Sequence, residues 1–211
     1  MSEVPTLDER QIDVLRAIAA DLRTPLTTVL AGALTLDEGD RELSLEETKD
    51  VIRAMARSAK KLSRTIEDVA DLERLARGHL ALFRQPVEMA SVVRLAALSE
   101  SPPRETTIDV DARPVIISAD PRRVTQIVIL LVGEVARYAS PASTIWVRAF
   151  PDGDGARIVV EAETTHMPSP LSVSSTGLPL AGGLADLHGG RMWMETPADG
   201  LKVCVFLPTI A

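Results

Sequence analysis

Residues 18–26 read Ile-Ala-Ala-Asp-Leu-Arg-Thr-Pro-Leu, and this stretch decides the fold of the first third of the chain. It lies within an apolar repeat of three and four residues, which is typical of a helix with one apolar face. Pro25 has no backbone N–H and its ring displaces the carbonyl of Asp21, so we predict a bend between Asp21 and Thr24 that displays the polar groups of that turn. The repeat consists of Leu15, Ile18, Leu22, Leu26, Val29 and Ala33.

Residues 20–26 resemble the H-box of bacterial sensor histidine kinases, whose pattern reads His-Glu-Leu-Arg-Thr-Pro-Leu. Asp21 stands in place of the glutamate, and Ala20 occupies the position of the phosphoacceptor histidine. Alanine has no group that accepts a phosphoryl group, so the resemblance implies a degenerate (pseudo) histidine kinase core. It also implies that a response-regulator receiver domain docks beside this turn. The residues implied in that contact are Asp21, Arg23, Thr24 and Pro25.

Composition excludes several classes of function. The chain has 211 residues, 45% of them hydrophobic, which suffices for two small domains with buried cores. Its formal net charge is −7 without a long run of like charge, which argues against nucleic-acid binding. No apolar run reaches the ~20 residues of a membrane span, and residues 1–11 lack the apolar core of a signal peptide, so we expect a cytoplasmic protein without membrane insertion. The single cysteine, Cys204, lies in an apolar strand pattern and is expected to be buried.

A second long helix is predicted to pair with the first as a hairpin. Ser44 and Glu47 form a capping-box pattern at its start, after a polar turn at residues 37–40. Its apolar positions form a heptad seam that one hairpin cannot cover, so we expect a homodimeric four-helix bundle. Packing of the hairpin on the rest of its own chain is the alternative. The seam consists of Ile52, Met55, Ala59, Leu62, Ile66 and Val69.

Four basic residues of the second helix fall outside this seam. We interpret them as a solvated face, with a docking face for an acidic partner as the alternative. They are Arg57, Lys60, Lys61 and Arg64.

Residues 83–211 alternate short helices and strands, so we place a domain boundary between a helical part at 1–82 and this second part. Asp120 and Pro121 are typical of the N-cap and first turn of a helix, here through Ala139. Residues 120–126, 187–190 and 206–208 resemble the ATP-binding domain of histidine kinases, an α/β sandwich of the Bergerat type. The expected fold class is therefore α followed by α/β. Further helices are predicted at 89–99 and 177–188, and strands at 106–110, 115–118, 144–150, 157–162, 191–195 and 201–207.

The resemblance also implies nucleotide-binding positions, and several of them are altered. The two asparagines of the N-box, one of which holds magnesium, become Leu130 and Glu134. A glutamate brings negative charge towards a polyphosphate. The adenine motif keeps a carboxylate at Glu163, but Thr165 and Met167 replace its two glycines and would fill space that the nucleotide occupies.

The second glycine motif keeps Gly177 but has Pro179, which lacks an amide N–H for phosphate. Only residues 168–174 stand where family members carry a long lid. We therefore expect a vestigial pocket at Glu134, Glu163, Thr165 and Gly177 that has lost ATP and magnesium binding. We expect no metal site, the alternative being a set made of Glu134, Glu163 and His166. His79 follows the second helix and is expected on the surface.

The resemblance as a whole implies a protein of two-component signalling. We expect a dimeric pseudo-histidine kinase that binds a response-regulator receiver domain, or another histidine kinase, without phosphorylating itself. The alternative is an enzyme: a residual kinase, a phosphotransferase that uses another histidine, or a receiver phosphatase. In the phosphatase reading, Thr24 orients the attacking water and Asp21 acts as an orienting carboxylate or a receiver contact.

Overall fold

The computed structural model describes residues 9–37, 43–100, 106–164, 176–197 and 200–209. These residues divide into two units, which are described separately: a helical unit that ends at Glu73, and a mixed unit that begins at Arg74. The second unit thus includes the last turn of the second helix and the linker after it.

The first unit is a helical hairpin. Helix α1 spans Glu9–Asp37 and continues through Pro25. Helix α2 spans Leu45–Ala76. Its capping box forms as predicted: the Ser44 N–H donates to Glu47 Oε2 at 2.9 Å, and the Glu47 N–H donates to Ser44 Oγ at 3.2 Å. Most of the turn predicted at 37–40 lies outside the described residues.

The two helices pack through complementary heptad positions. On α1 the positions that are partly or fully buried recur every four and three residues, with Pro25 fully buried at the centre. Near the end of the hairpin α1 approaches α2 so closely that a Cβ on Gly32 would lie 2.5 Å from Met55 Cγ. This α1 seam is Ile18, Leu22, Pro25, Val29 and Gly32; the α2 seam is Val51, Met55, Ser58, Leu62, Thr65, Val69 and Leu72.

The α2 stripe predicted as one seam therefore divides into two. Met55, Leu62 and Val69 are half-buried within the hairpin, whereas Ile52 and Ile66 are exposed, Ile66 by 61%. Helix α1 has a matching exposed edge. Its exposed apolar residues are Leu15, Leu26, Leu30, Leu34 and Leu36.

The second unit is built on a five-stranded sheet, in the order β2-β4-β5-β7-β6. Strands β2 and β4 are parallel, and the other pairs are antiparallel. Strand β1, which the sequence analysis did not predict, pairs antiparallel with β3 in a separate two-stranded sheet. The elements are β1 Gln85–Glu88, α3 Met89–Leu98, β2 Thr107–Ala112, β3 Ile116–Ala119, α4 Pro121–Tyr138, β4 Thr144–Asp152, β5 Gly155–Glu163, α5 Gly177–Leu187, β6 Arg191–Glu195 and β7 Gly200–Pro208.

The core lies between one face of the five-stranded sheet and helices α3, α4 and α5. Alternate residues of β4, β5 and β7 are fully buried, as expected for strands with one face in a core. The predicted class, a helical hairpin followed by an α/β sandwich, is confirmed. None of the helices within the described residues is long and apolar enough to cross a bilayer.

The opposite face of the sheet is covered by its own long side chains. Arg148 pairs with Glu161 at 2.9 Å, and the Arg191 guanidinium lies 5.5 Å from the ring centre of Trp193. Beneath this layer Cys204 is buried, as predicted, and burial raises the pKa of its thiol. This cysteine is therefore a packing residue rather than a reactive thiol.

Candidate functional site

The turn that resembles an H-box is exposed on α1. Ala20, Arg23 and Thr24 face solvent, whereas Asp21 is half-buried and Pro25 is buried in the hairpin seam. Because proline lacks an N–H, the Asp21 carbonyl loses its usual helical donor. The site thus offers a methyl group at position 20 and a hydroxyl one turn further along.

The hydroxyl groups near this turn are differently engaged. Thr27 Oγ1 donates to the Arg23 carbonyl at 2.9 Å, and Thr28 Oγ1 donates to the Thr24 carbonyl at 3.3 Å. Within the described part of the chain, the Thr24 hydroxyl itself has no side-chain hydrogen bond. It is therefore available to a partner as both donor and acceptor.

Helix α1 presents a row of small residues on this face. Ala20, Thr24, Thr28, Ala31 and Thr35 recur every three or four residues, so they share one side of the helix. All five are exposed. Small side chains allow the backbone of another protein to approach α1 closely.

Glu134, at the N-box position, is directed into the protein. It lies on the buried face of α4, its side chain is 3% exposed, and Glu134 Oε2 lies 3.8 Å from Arg137 Nη2. Buried charges persist in proteins when they are paired. A carboxylate held in this way does not fit the role of the neutral amide that binds magnesium in the resembling kinases.

Two other pocket positions, Glu163 and Gly177, lie on other elements than Glu134. Glu163 is exposed at the end of β5, where its carbonyl accepts from the Ser140 N–H at 2.9 Å. Gly177 begins α5. Thr165, His166 and Met167 lie outside the described residues. Within the described ranges, no three His, Cys, Asp or Glu residues come together as a metal site.

A shallow pocket of about 250 Å³ lies at one end of the three central strands β4, β5 and β7. Trp146, Glu161 and Glu163 contribute to it from the face that the helices leave uncovered, together with Pro197 and Gly200. It therefore lies apart from Glu134.

The best-built polar cluster in the second unit was missed by sequence reasoning. His188 and Asp120 are 2% and 3% exposed. The Asp120 N–H donates to His188 Nε2 at 3.2 Å, which places the imidazole proton on Nδ1, where it donates to the Leu184 carbonyl at 2.7 Å. The Asp120 carboxylate also accepts from the Phe83 N–H of the linker at 3.0 Å.

Arg84 completes this cluster. Its guanidinium donates to the Ser118 and Leu187 carbonyls, both at 3.3 Å. Burial lowers the pKa of His188, and the Arg84 charge lowers it further against the opposing effects of the Leu184 carbonyl and Asp120. The cluster fastens the linker to α4 and α5. The signal for it in the sequence was the joint presence of Asp120-Pro121 and His188-Gly189-Gly190.

His79, in contrast, is exposed as predicted. It follows Gly78, whose φ of +68° ends α2.

Comparison with known proteins agrees with this geometry. Residues 10–78 match the family described as His Kinase A (phospho-acceptor) domain. The computed fold resembles the histidine kinase AdeS of Acinetobacter baumannii with a TM-score of 0.67 and 16% identity, over 92% of this chain and 99% of that one. The chain therefore has a His Kinase A domain followed by a histidine kinase-like α/β domain.

Two relatives extend over nearly the whole chain. The circadian input-output histidine kinase CikA of Synechococcus elongatus is 26% identical over 93% of this chain, and the sensor protein DivL of Caulobacter vibrioides is 24% identical over 93%. The chain spans only 30% and 28% of their respective lengths. Over nearly its whole length, the chain is thus similar to a histidine kinase and to a sensor protein.

Proposed function

We propose that this protein is a pseudo-histidine kinase that binds a response-regulator receiver domain through its helical hairpin and modulates its phosphorylation. Another histidine kinase is the second possible partner. The observation that carries the proposal is Ala20: it is exposed at the phosphoacceptor position, and residues 1–78 contain no histidine. Residues 21–26 nevertheless match the H-box pattern, with Asp21 in place of glutamate.

Loss of ATP and magnesium binding is part of this proposal. It is supported by the buried Glu134 with its Arg137 partner, and by a sequence that leaves 13 residues between Glu163 and Gly177. Thr165 and Pro179 add side-chain bulk and remove an amide where a nucleotide would be held.

A homodimeric hairpin is also part of the proposal. The exposed apolar edges of α1 and α2 carry Leu26, Leu30, Ile52 and Ile66, and apolar surface of this extent is characteristic of an interface. A second copy would cover these edges as a four-helix bundle.

The test is a binding and phosphorylation assay with the receiver domains of the source cell. Each receiver is titrated into the protein by calorimetry, and the protein is separately incubated with radiolabelled ATP and magnesium. We expect micromolar or tighter binding to at least one receiver and no incorporation of phosphate. Incorporation, or the absence of any receiver complex, contradicts the proposal.

Receiver phosphatase activity is a second candidate, favoured by the exposed Thr24 hydroxyl. A hydroxyl placed beside an aspartyl phosphate of the receiver could orient the attacking water, with Asp21 as orienting carboxylate or receiver contact, while the receiver supplies its own chemistry. The assay follows phosphate loss from the phosphorylated receiver with wild type and Thr24→Ala. Slower loss with Thr24→Ala at equal binding supports catalysis; equal decay with both proteins and with buffer leaves binding alone.

A further inference from the structure

The middle of α2 has an unusual distribution of charge. Residues 51–66 contain five basic residues and no acidic residue, although the chain as a whole carries a net charge of −7. The α1 segment that faces it, residues 25–36, contains no charged residue. This part of the hairpin is therefore uniformly positive or neutral.

The five basic residues form one stripe on α2. They lie three or four residues apart, except that Lys60 and Lys61 are adjacent, and all are exposed. Within this stripe, Arg53 pairs with Asp50 at 3.0 Å and with Glu46 at 3.5 Å. The stripe consists of Arg53, Arg57, Lys60, Lys61 and Arg64.

The stripe lies on the side of the hairpin opposite the exposed apolar edges. Successive residues of a helix are rotated by about 100° about the helix axis. Relative to the α2 seam, Ile52 and Ile66 are rotated about this axis in one direction, and the basic stripe is rotated in the opposite direction. On α1, Leu26 and Leu30 are displaced in the same sense as Ile52. In antiparallel helices, equal senses of rotation place residues on the same side, so the apolar edges share one side.

The row of small residues on α1 shares the other side with the basic stripe. The close approach of Gly32 to Met55 shows which residues of the two helices lie side by side along the hairpin. One or two turns further along, Thr28 lies beside Lys60 and Lys61. The exposed row from Thr24 to Thr35 is thus small and uncharged, and it lies beside the cations of α2.

We propose that the basic stripe of α2 and the small-residue row of α1 together bind an acidic face of a receiver domain. This inference rests on the proposed function and specifies the partner's charge. Small residues permit close contact with a partner helix, and the cations along the border select and attract a partner of opposite charge.

A protein partner fits this surface better than a nucleic acid. Nucleic-acid binding proteins neutralise many phosphates over a broad basic footprint, whereas here the positive region is one helix face on a chain of net charge −7. The uncharged row beside the stripe also suits a protein surface with an apolar centre and a charged rim.

The test compares two charge-reversal pairs of equal net charge. Lys60→Glu/Lys61→Glu changes the stripe, and Arg113→Glu/Arg122→Glu changes two exposed cations of the second unit as a control. Each variant and the wild type are titrated with the receiver domains of the source cell at low and high salt. Circular dichroism verifies that all three proteins are equally helical.

We expect the stripe variant to bind the receiver at least about tenfold more weakly than wild type at low salt, with a smaller loss of affinity on adding salt. The control variant should bind like wild type. Equal binding by wild type and stripe variant overturns this inference but leaves the proposed function intact. If wild type binds no receiver, both fail. Tighter binding to a random-sequence duplex DNA than to any receiver also overturns the inference.

Discussion

Two positions that the kinase resemblance marks as functional have opposite surroundings in this fold. Ala20 lies on an open helix face among exposed threonines, whereas Glu134 is enclosed on the buried face of α4 beside Arg137. A surface that faces solvent can serve a partner after its reactive group is lost. A buried polar group can pair only with neighbouring groups of its own unit. The second unit also contains a buried polar cluster, at His188 and Asp120, that holds the linker.

The largest effect should follow a charge placed inside the hairpin seam. Leu62 is half-buried between α1 and α2, so Leu62→Glu loses part of the ~2 kcal/mol that full burial of a large aliphatic side chain contributes and adds the cost of a partly buried carboxylate. We expect loss of helicity measured by circular dichroism.

Ile66→Glu is the matched variant for the dimer. Ile66 is exposed in the single chain, so this variant should remain helical but become monomeric in light scattering. If the wild-type protein itself is a stable monomer in light scattering, the argument for a dimer is removed.

The next largest effect concerns the buried cluster in the second unit. His188→Ala removes the acceptor of the Asp120 N–H and one of the two donors to the Leu184 carbonyl, which should cost about 2–3 kcal/mol of unfolding free energy. His79→Ala, at an exposed position, should stay within about 0.5 kcal/mol of wild type. Urea titration monitored by tryptophan fluorescence measures both. An equal response to the two substitutions would show that the cluster does not hold the unit together.

A smaller effect should appear with pH. The pKa of His188 is lowered in the folded protein, so its neutral form is stabilised by folding. That contribution is present above the unfolded value of ~6.5 and is lost as pH falls from there through the folded pKa, with a slope of at most about 1.4 kcal/mol per pH unit. His188→Gln offers an acceptor and a donor without titrating. We expect its unfolding free energy to vary less than that of wild type between pH 7.5 and 5.5, and equal variation would contradict the assignment.

The smallest effect is expected for Ala20→His. It restores an exposed imidazole on α1, but the second unit still lacks the neutral amide at position 134. We expect no phosphate incorporation from radiolabelled ATP. Phosphorylation of this variant would show that the second unit still uses a nucleotide.

The sequence predicted much of this fold because its signals were local. The capping box at Ser44, the Asp120-Pro121 helix start and the alternation of β4 and β5 each depend on neighbouring residues. Strand β1 was missed because four residues containing a proline have no strand period, and its pairing with β3 is set by tertiary contact.

The candidate site was predictable only in part. The motif positions identified Ala20 and Glu134 from the sequence. Only the structure shows that Ala20 is exposed to solvent and that Glu134 is buried. His188 and Asp120 lie 68 residues apart in sequence, so their hydrogen bond follows from how α4 and α5 pack. The division of the α2 stripe into an inner seam and an exposed edge likewise needed the position of α1.

The central claim is that the protein acts through its hairpin surface and not through a nucleotide. Hydrogen–deuterium exchange of the wild type, recorded with the bound receiver domain and separately with ATP and magnesium, tests it most directly. We predict that the receiver slows hydrogen exchange in residues 20–35 and 53–64, and that ATP alters the exchange rate of no segment. Slower exchange in α4 or α5 on adding ATP, with an unchanged hairpin in the receiver complex, would contradict it.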